Sequence, residues 1–265
     1  MRALRFAVIG DPIAHSKSPA MHLAAFRALG LPHRYEARRV TAAELPGVVQ
    51  ELRDGRYDGL NVTVPHKEAV LALADERGAD LRAANTLVRT PDGRVVAHNT
   101  DVPALVEELR DLGGPAAPWT TRRALVLGSG GAALAAVAAL RLLGADDVAL
   151  RARGSRPPAT QPWAPSAASE ALTLAVVQAT SAGMTGADAG EPVAAAVAWN
   201  ALPGDALALD VIYAPPETPF LAAARARGLR TANGLGMLAR QGALAFELWL
   251  GIPAPLNVMR AALER

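Results

Sequence analysis

An α/β fold built on mostly parallel sheets is what these 265 residues predict. Over the first 67 residues, short apolar runs alternate with helical stretches, a β-α-β-α-β rhythm that calls for parallel strands. Further on, the strand-like run Ala124-Leu125-Val126-Leu127 leads through Gly128-Ser129-Gly130-Gly131-Ala132-Ala133 into a long Ala/Leu helix that closes at Gly144. Between these two stretches, Gly113-Gly114-Pro115-Ala116-Ala117-Pro118 is a loop and marks the change of domain.

In chain order, Phe6 to Ile9 reads as a short buried strand. Gly10 to Pro19 is turn-rich, with Ser18 as a helix cap and Pro19 at the first helical position. The helix runs through Met21, Leu23, Ala24, Phe26 and Leu29 and closes at Gly30. Ser16 and Ser18 lie two apart at its start. Their hydroxyls and the free N–H groups can hold a carboxylate or phosphate; capping and solvation account for the same pair. Tyr35 to Val40 is a second strand and Ala42 to Arg53 a second helix.

In Gly59-Leu60-Asn61-Val62-Thr63-Val64-Pro65-His66-Lys67, three apolar residues alternate with polar Asn61 and Thr63, the period-2 pattern of a strand, read as a buried one. Pro65 stops the ladder and fits the first turn of a helix. Lys67 then lies just past a strand end, where open α/β sheets place their ligands. Of 27 basic residues only Lys17 and Lys67 are lysines. Arginine keeps its proton at ordinary pH, whereas a partly buried lysine can release one; an ordinary helix-start lysine accounts for Lys67 equally well from this segment alone. His15 and His66 flank these segments as candidate acid/base groups, but beside glycine, proline and serine turns they read as structural.

Asn85-Thr86 and Asn99-Thr100-Asp101 place polar residues beside short apolar runs, with a turn at Pro91-Asp92-Gly93 between them. Asp101 either caps the helix from Pro103 to Leu112 or faces Lys67, a carboxylate beside an ammonium. Gly128, Gly130 and Ala133 match G-x-G-x-x-A between a strand and a helix, the context in which backbone N–H groups bind a dinucleotide pyrophosphate. Past the next strand, Val148 to Leu150, an NAD site would show an acid; this chain shows Arg151, Arg153 and Arg156. Guanidinium groups suit the 2′-phosphate of NADP; solvated surface arginines, in so arginine-rich a chain, account for the same set.

Gly154 to Ala168 looks irregular, an abbreviated crossover. Leu174 to Val177 and Leu207 to Ile212 are strands, the latter ending in Tyr213. Phe220 to Arg227 is a helix, and Gly234-Leu235-Gly236 leads a long helix, Met237 to Leu250, that carries Gln241.

Composition excludes several classes. Without cysteine there is no disulfide, thiol nucleophile or thiolate metal site. A net charge of +2 without a basic stripe argues against nucleic acid. No apolar run reaches membrane-spanning length and no targeting segment is apparent, so the expectation is a soluble cytoplasmic protein.

Taken together, these motifs resemble the shikimate dehydrogenase family in its own order: the Gly10–Pro19 loop, Asn61 to Lys67, Asn85-Thr86, Asn99-Thr100-Asp101, the Gly128–Ala132 loop, Asp210 to Tyr213, and Gly234 to Gln241. The resemblance covers nearly the whole chain. It implies a substrate domain over residues 1–101, completed by 233–265, and a Rossmann domain over 102–232. It implies that Ser16 and Ser18 bind a substrate carboxylate, that Thr63, Asn85, Asp101, Tyr213 and Gln241 contact the ring or its hydroxyls, and that Lys67 and Asp101 form the proton-transfer pair. For the cofactor, it implies contacts from Gly128, Ser129, Gly130, Gly131, Ala132, Val211 and Gly234, beside the arginines. The implied reaction is reversible reduction of 3-dehydroshikimate to shikimate by NADPH, without metal, in a monomer or homodimer. Three positions depart from the family pattern: Leu23 for an Asn, Arg151-Ala152-Arg153 for Asn-Arg-Thr, and Gln178 for an Asn. Two rivals remain: an NAD-using quinate/shikimate dehydrogenase, and a cofactor-binding paralogue without turnover.

Overall fold

Residues 2–153 and 160–264 are described in the structure, a computed structural model. The chain divides into two units, Met1–Asp101 with Leu238–Arg265, and Val102–Met237.

The first unit runs β1 (Arg5–Gly10), α1 (Ser18–Ala28), β2 (Arg34–Arg39), α2 (Leu45–Arg53), β3 (Gly59–Val62), β4 (Glu76–Arg77), β5 (Thr86–Arg89) and β6 (Val95–His98). Its sheet order is β2-β1-β3-β5-β6-β4. β1 is parallel to both β2 and β3, with Phe6 opposite Tyr35 and Gly59, while β5 runs antiparallel to β3 and β6.

The second unit runs α3 (Asp101–Gly113, whose first residue belongs to the first unit), β7 (Arg123–Leu127), α4 (Gly131–Leu142), β8 (Val148–Arg151), α5 (Ala167–Glu170), β9 (Thr173–Gln178), α6 (Glu191–Ala194), β10 (Leu207–Asp210), α7 (Pro219–Ala226) and β11 (Arg230–Ala232). Its five strands are all parallel, in the order β11-β10-β9-β7-β8. Then α8 (Gly234–Leu250) and α9 (Leu256–Leu263) follow, and from Leu238 onward they belong to the first unit.

Each sheet is covered on both faces. In the first unit, Val48, Val49 and Leu52 of α2 pack with Ile9, Leu60, Val62 and Leu87. On another side an aromatic cluster forms: Phe6 stacks on Trp249 at 4.7 Å, and Phe26 lies 5.6 Å from Phe246 of α8. The Trp249 indole N–H donates to Leu87 O at 3.0 Å, pinning α8 to the sheet. Each phenylalanine of this cluster, fully buried, contributes roughly 1.5–3 kcal/mol. In the second unit, β7 and β9 read as continuous apolar runs because one face packs on Leu105, Leu109, Ala136 and Leu140, and the other on Val193, Phe220 and Leu221.

All of β3 is buried, Asn61 included, as expected of this strand. Two local expectations change. Pro65 opens no helix: the Val64–Pro65 peptide is cis, His66 N–H donates to Thr63 O at 2.9 Å, and the first helical turn is a 3₁₀ turn at Ala69–Ala72. Ser18 does not cap α1; it is the first helical residue, and its N–H is taken by Ser16 Oγ at 3.3 Å. Between β8 and β9, α5 is the only helix among the described residues, one turn long.

Candidate active site

In the first sheet β1 lies between β2 and β3, so the chain leaves β1 toward one side and β3 toward the other. Ligands of open α/β sheets sit at such a switch point. The loops leaving β1 and β3 touch there. Asp11 N–H donates to Val64 O at 3.0 Å. A Cβ on Gly10 would meet Thr63 Cγ2 at 2.5 Å and Val64 O at 2.9 Å, so glycine is what allows the approach. The first loop carries Ser16 and Ser18, the second Thr63 and Lys67. Buried His66 places Nε2 at 2.6 Å from Val40 O, and Ala84 N–H donates to Lys67 O at 2.8 Å, so the lysine turn is held on both sides.

Lys67 Nζ donates to Asp101 Oδ2 at 2.7 Å. The carboxylate side chain is 4% exposed and the lysine 17%, so the lysine is the more exposed member of the pair. Asp101 Oδ1 accepts from Asn85 Nδ2 at 2.8 Å. The same amide nitrogen lies 2.9 Å from Thr100 Oγ1 and 3.3 Å from Gln241 Oε1, while Asn85 Oδ1 accepts the Thr100 N–H at 2.7 Å. Asp101 N–H is taken by Asn99 Oδ1 at 3.0 Å. Gln241 Nε2 donates to Leu238 O at 2.9 Å. Lys67, Asn85, Asp101 and Gln241, from four separate segments, therefore meet in one cluster. Asp101 both begins α3 and faces the lysine, so the two sequence readings of this residue are not exclusive. Both carboxylate oxygens are engaged, and an ammonium with three N–H bonds gives one of them to Asp101.

Sequence reasoning missed the layer behind this cluster. Tyr35 Oη donates to Asn61 Oδ1 at 2.7 Å, and Asn61 Nδ2 reaches Asn85 O at 3.2 Å and Thr86 Oγ1 at 3.1 Å. His22 stacks on the Tyr35 ring at 4.2 Å and 9°. Burial lowers the His22 imidazole to about 3, against a smaller opposing effect of the nearby Asn61 side chain. Burial also pushes the Tyr35 phenol well up. The register of Asn61 opposite Thr86, two polar residues facing each other across buried strands, is the signal that finds this layer.

In the second sheet the switch point lies at β7, flanked by β8 and β9. Gly128 follows β7 with φ of +129°, and a Cβ there would sit 2.7 Å from Ala179 O, so this turn requires glycine. Ser129 and Gly130 continue it, and Gly131 and Ala132 form the first turn of α4. The N-cap residue there is Gly130, which has no side chain to cap that end. Its N–H groups are the donors an anionic pyrophosphate needs. Val211 and Gly234 come together: a Cβ on Gly234 would fall 2.0 Å from Val211 O, and Gly234 N–H donates to Ile212 O at 3.0 Å. Tyr213 follows on the segment after β10, half-buried, in the second unit. Before it, Asp210 accepts from Ile212 N–H at 2.9 Å and Thr218 Oγ1 at 2.5 Å, and burial raises its carboxyl to about 6. Gln178, the family departure, shapes the neighbouring loop by accepting Thr180 N–H at 2.6 Å and donating to Ala182 O at 3.1 Å.

The arginines divide. The sequence sets Arg151 against a 2′-phosphate, and the structure corrects this. Its side chain is fully buried, and its guanidinium forms a two-pronged pair with Glu170, at 2.8 and 3.0 Å, with further bonds to Gln161 and Ala196 O. The acid that neutralises it comes from α5, far beyond the strand end. Arg153 is exposed and lies 3.3 Å from Asp188. Arg156 lies outside the described residues.

Among the described residues, no helix is long and apolar enough to cross a membrane, and no cluster of three or more His, Cys, Asp or Glu could hold a metal ion.

The architecture is that of a two-domain α/β protein with a Rossmann-type second unit. Comparison with known proteins gives the family. Residues 8–87 match the shikimate dehydrogenase substrate binding domain, and residues 234–264 the shikimate 5′-dehydrogenase C-terminal domain. A shikimate dehydrogenase (NADP(+)) of Methylobacterium radiotolerans is 42% identical, over 94% of this chain and 91% of its own. The shikimate 5-dehydrogenase of Thermus thermophilus, solved with NADP(H) and shikimate, superposes with a TM-score of 0.85 at 37% identity, over 99% of each chain. A 5-ketofructose reductase of a Gluconobacter species, solved without ligand, reaches 0.83 at 30% identity, over 100% of this chain and 99% of its own. The chain belongs to the shikimate dehydrogenase family.

Proposed function

We propose that this chain is an NADP-dependent shikimate dehydrogenase, interconverting 3-dehydroshikimate and shikimate on the route to aromatic amino acids. The observation that carries the reading is the 2.7 Å pair between Lys67 and Asp101 at a sheet switch point, with Asn85 and Gln241 in the same cluster. When bound, NADPH would supply the hydride for the ring carbonyl carbon. Lys67 donates a hydrogen bond, then a proton, from Nζ to the oxygen on which negative charge develops. Asp101 orients that nitrogen, and Asn85 orients Asp101 in turn. Ser16 and Ser18 hold the substrate carboxylate, while Thr63, Gln241 and Tyr213 hold ring hydroxyls. The α4 N-terminus, through Gly128 to Ala132, holds the pyrophosphate; Val211 and Gly234 line the cofactor, and Arg153 and Arg156 meet the 2′-phosphate. The reading extends to a cytoplasmic enzyme, monomeric or homodimeric, with its substrate domain over 1–101 and 233–265.

The test is nicotinamide absorbance with four substrates, shikimate, quinate, 5-ketofructose and 3-dehydroshikimate, each with NADP(H) and NAD(H). The proposal expects shikimate and 3-dehydroshikimate with NADP(H) to dominate. A higher kcat/KM for quinate with NAD, or for 5-ketofructose, replaces the substrate assignment. No turnover with any pair returns the chain to a paralogue that binds without reacting.

A further inference from the structure

The two serines that the proposed function assigns to the substrate carboxylate are separated by one of the chain's two lysines, and that lysine is engaged elsewhere. Lys17 Nζ donates to Leu263 O at 2.6 Å, across 246 residues of sequence. Leu263 is the last residue of α9. Its carbonyl is one of the four at a helix C-terminus without a partner in the helix, and that end carries the negative pole of the helix dipole. An ammonium is the preferred group there. Lys17 is also the N-cap residue of α1, and its own side chain makes no capping bond there. α9 is itself fixed by Met259 and Leu263, at most 1% exposed. The opposite end of the loop is tied at Asp11, to Val64 O and to Arg39.

We propose that Lys17 is a positioning residue: it ties the Ser16–Ser18 loop to the last turn of α9, so that the C-terminal helix sets the geometry of the carboxylate-binding serines. A loop held before the ligand arrives loses less freedom on binding. A carboxylate remote from the reacting carbon is bound equally in ground and transition states, so releasing the tether changes KM and leaves kcat nearly intact.

The experiment compares full-length wild-type protein with Lys17→Met, which keeps the stem and loses the donor, and Lys17→Arg, which restores one. Steady-state kinetics are measured with shikimate and NADP at low and high salt, and amide hydrogen exchange is followed without ligands. Lys17→Met is expected to raise the shikimate KM about 10-fold, the loss of one charge-assisted hydrogen bond, with kcat and the NADP KM nearly unchanged. Lys17→Arg is expected to recover most of it. The increase should persist at high salt, and exchange should rise together in residues 11–18 and 256–264. An increase that vanishes at high salt makes Lys17 a steering charge and overturns the tether, as does an equal loss in kcat. The exchange arm needs no substrate. If the wild-type protein fails to turn over shikimate, the proposed function falls, and coupled exchange of the two segments still supports the tether. Unchanged exchange in Lys17→Met overturns it whatever the kinetics.

Discussion

Replacing Glu170 with glutamine removes the only charge that neutralises a fully buried guanidinium among the described residues. Glu170 Oε1 accepts Arg151 Nη1 at 2.8 Å, Ser166 N–H at 3.2 Å and Ala198 N–H at 3.0 Å, and Oε2 accepts Arg151 Nη2 at 3.0 Å. Burial alone would raise this carboxyl, but the bonds from Arg151 and the two N–H groups outweigh it and hold it below the usual value. The variant keeps the shape and one acceptor, and turns an amide N–H toward Arg151. Breaking a buried pair from one side costs about 3–5 kcal/mol, since the remaining charge is neither solvated nor paired. At about 2–4 °C per kcal/mol for a protein of this size, the melting temperature should fall by roughly 6–20 °C. Thermal unfolding of the full chain measures the loss, and hydrogen exchange should place it in β8 and α5. A drop under about 1 kcal/mol would refute the reasoning, because a buried ion pair cannot lose one partner so lightly. The double replacement Arg151→Met/Glu170→Met separates structure from cofactor choice. It should recover much of the stability and keep the preference for NADP over NAD, since Arg151 spends its donors inside the fold. A collapse of that preference would put Arg151 back on the 2′-phosphate.

Two further outcomes are expected. Ser16→Ala and Ser18→Ala should each raise the shikimate KM, by roughly the 1.5–3 kcal/mol of a hydrogen bond to a charged group; unchanged constants in both would return these serines to shaping the start of α1. Asp210→Asn should flatten the acid side of the stability profile. Burial raises the Asp210 carboxyl from 3.8 to about 6, so its favourable contribution is complete below the unfolded value and is lost as pH rises through about 6, at most about 3 kcal/mol. His22, lowered by burial from 6.5 to about 3, works oppositely: its contribution is complete above the unfolded value and fades as pH falls toward about 3. Wild-type and Asp210→Asn unfolding followed across that range should therefore diverge below about pH 6, with the wild type gaining relative stability toward acid. Parallel curves would mean the carboxyl is not desolvated.

The architecture is legible where periodicity and glycine placement act locally. The apolar runs at Phe6–Ile9 and Ala124–Leu127 are buried on both faces and form central parallel strands. Gly128 is readable because only glycine turns there with φ of +129°. Other features depend on partners distant in sequence. Lys67 and Asp101 stand 34 residues apart, and nothing beside either one reveals the other; a capping aspartate looks the same until α3 is placed. Arg151 misleads because a strand-end arginine shows nothing of its partner, which lies 19 residues on in a stretch with no clear period. Asn61 lies in a strand read as buried, but alternation alone does not name Tyr35 and Thr86 as the partners of its amide. Pro65 suits a helix by its fixed φ, whereas the segment closes as a turn. Lys17 stands out only by scarcity, and its acceptor on the last turn of α9 is invisible until the C-terminal helices return to the first sheet.

The central claim is that Lys67, oriented by Asp101, transfers the proton in an NADP-linked reduction. The measurement that tests it most directly is turnover of 3-dehydroshikimate with NADPH by the wild-type and Lys67→Ala proteins side by side, with substrate affinity measured independently. The account predicts robust wild-type turnover, a fall of about 10²–10⁴ in kcat on losing the ammonium, and substrate binding within a few-fold of wild type. A Lys67→Ala protein that turns over within a few-fold of wild type would contradict it.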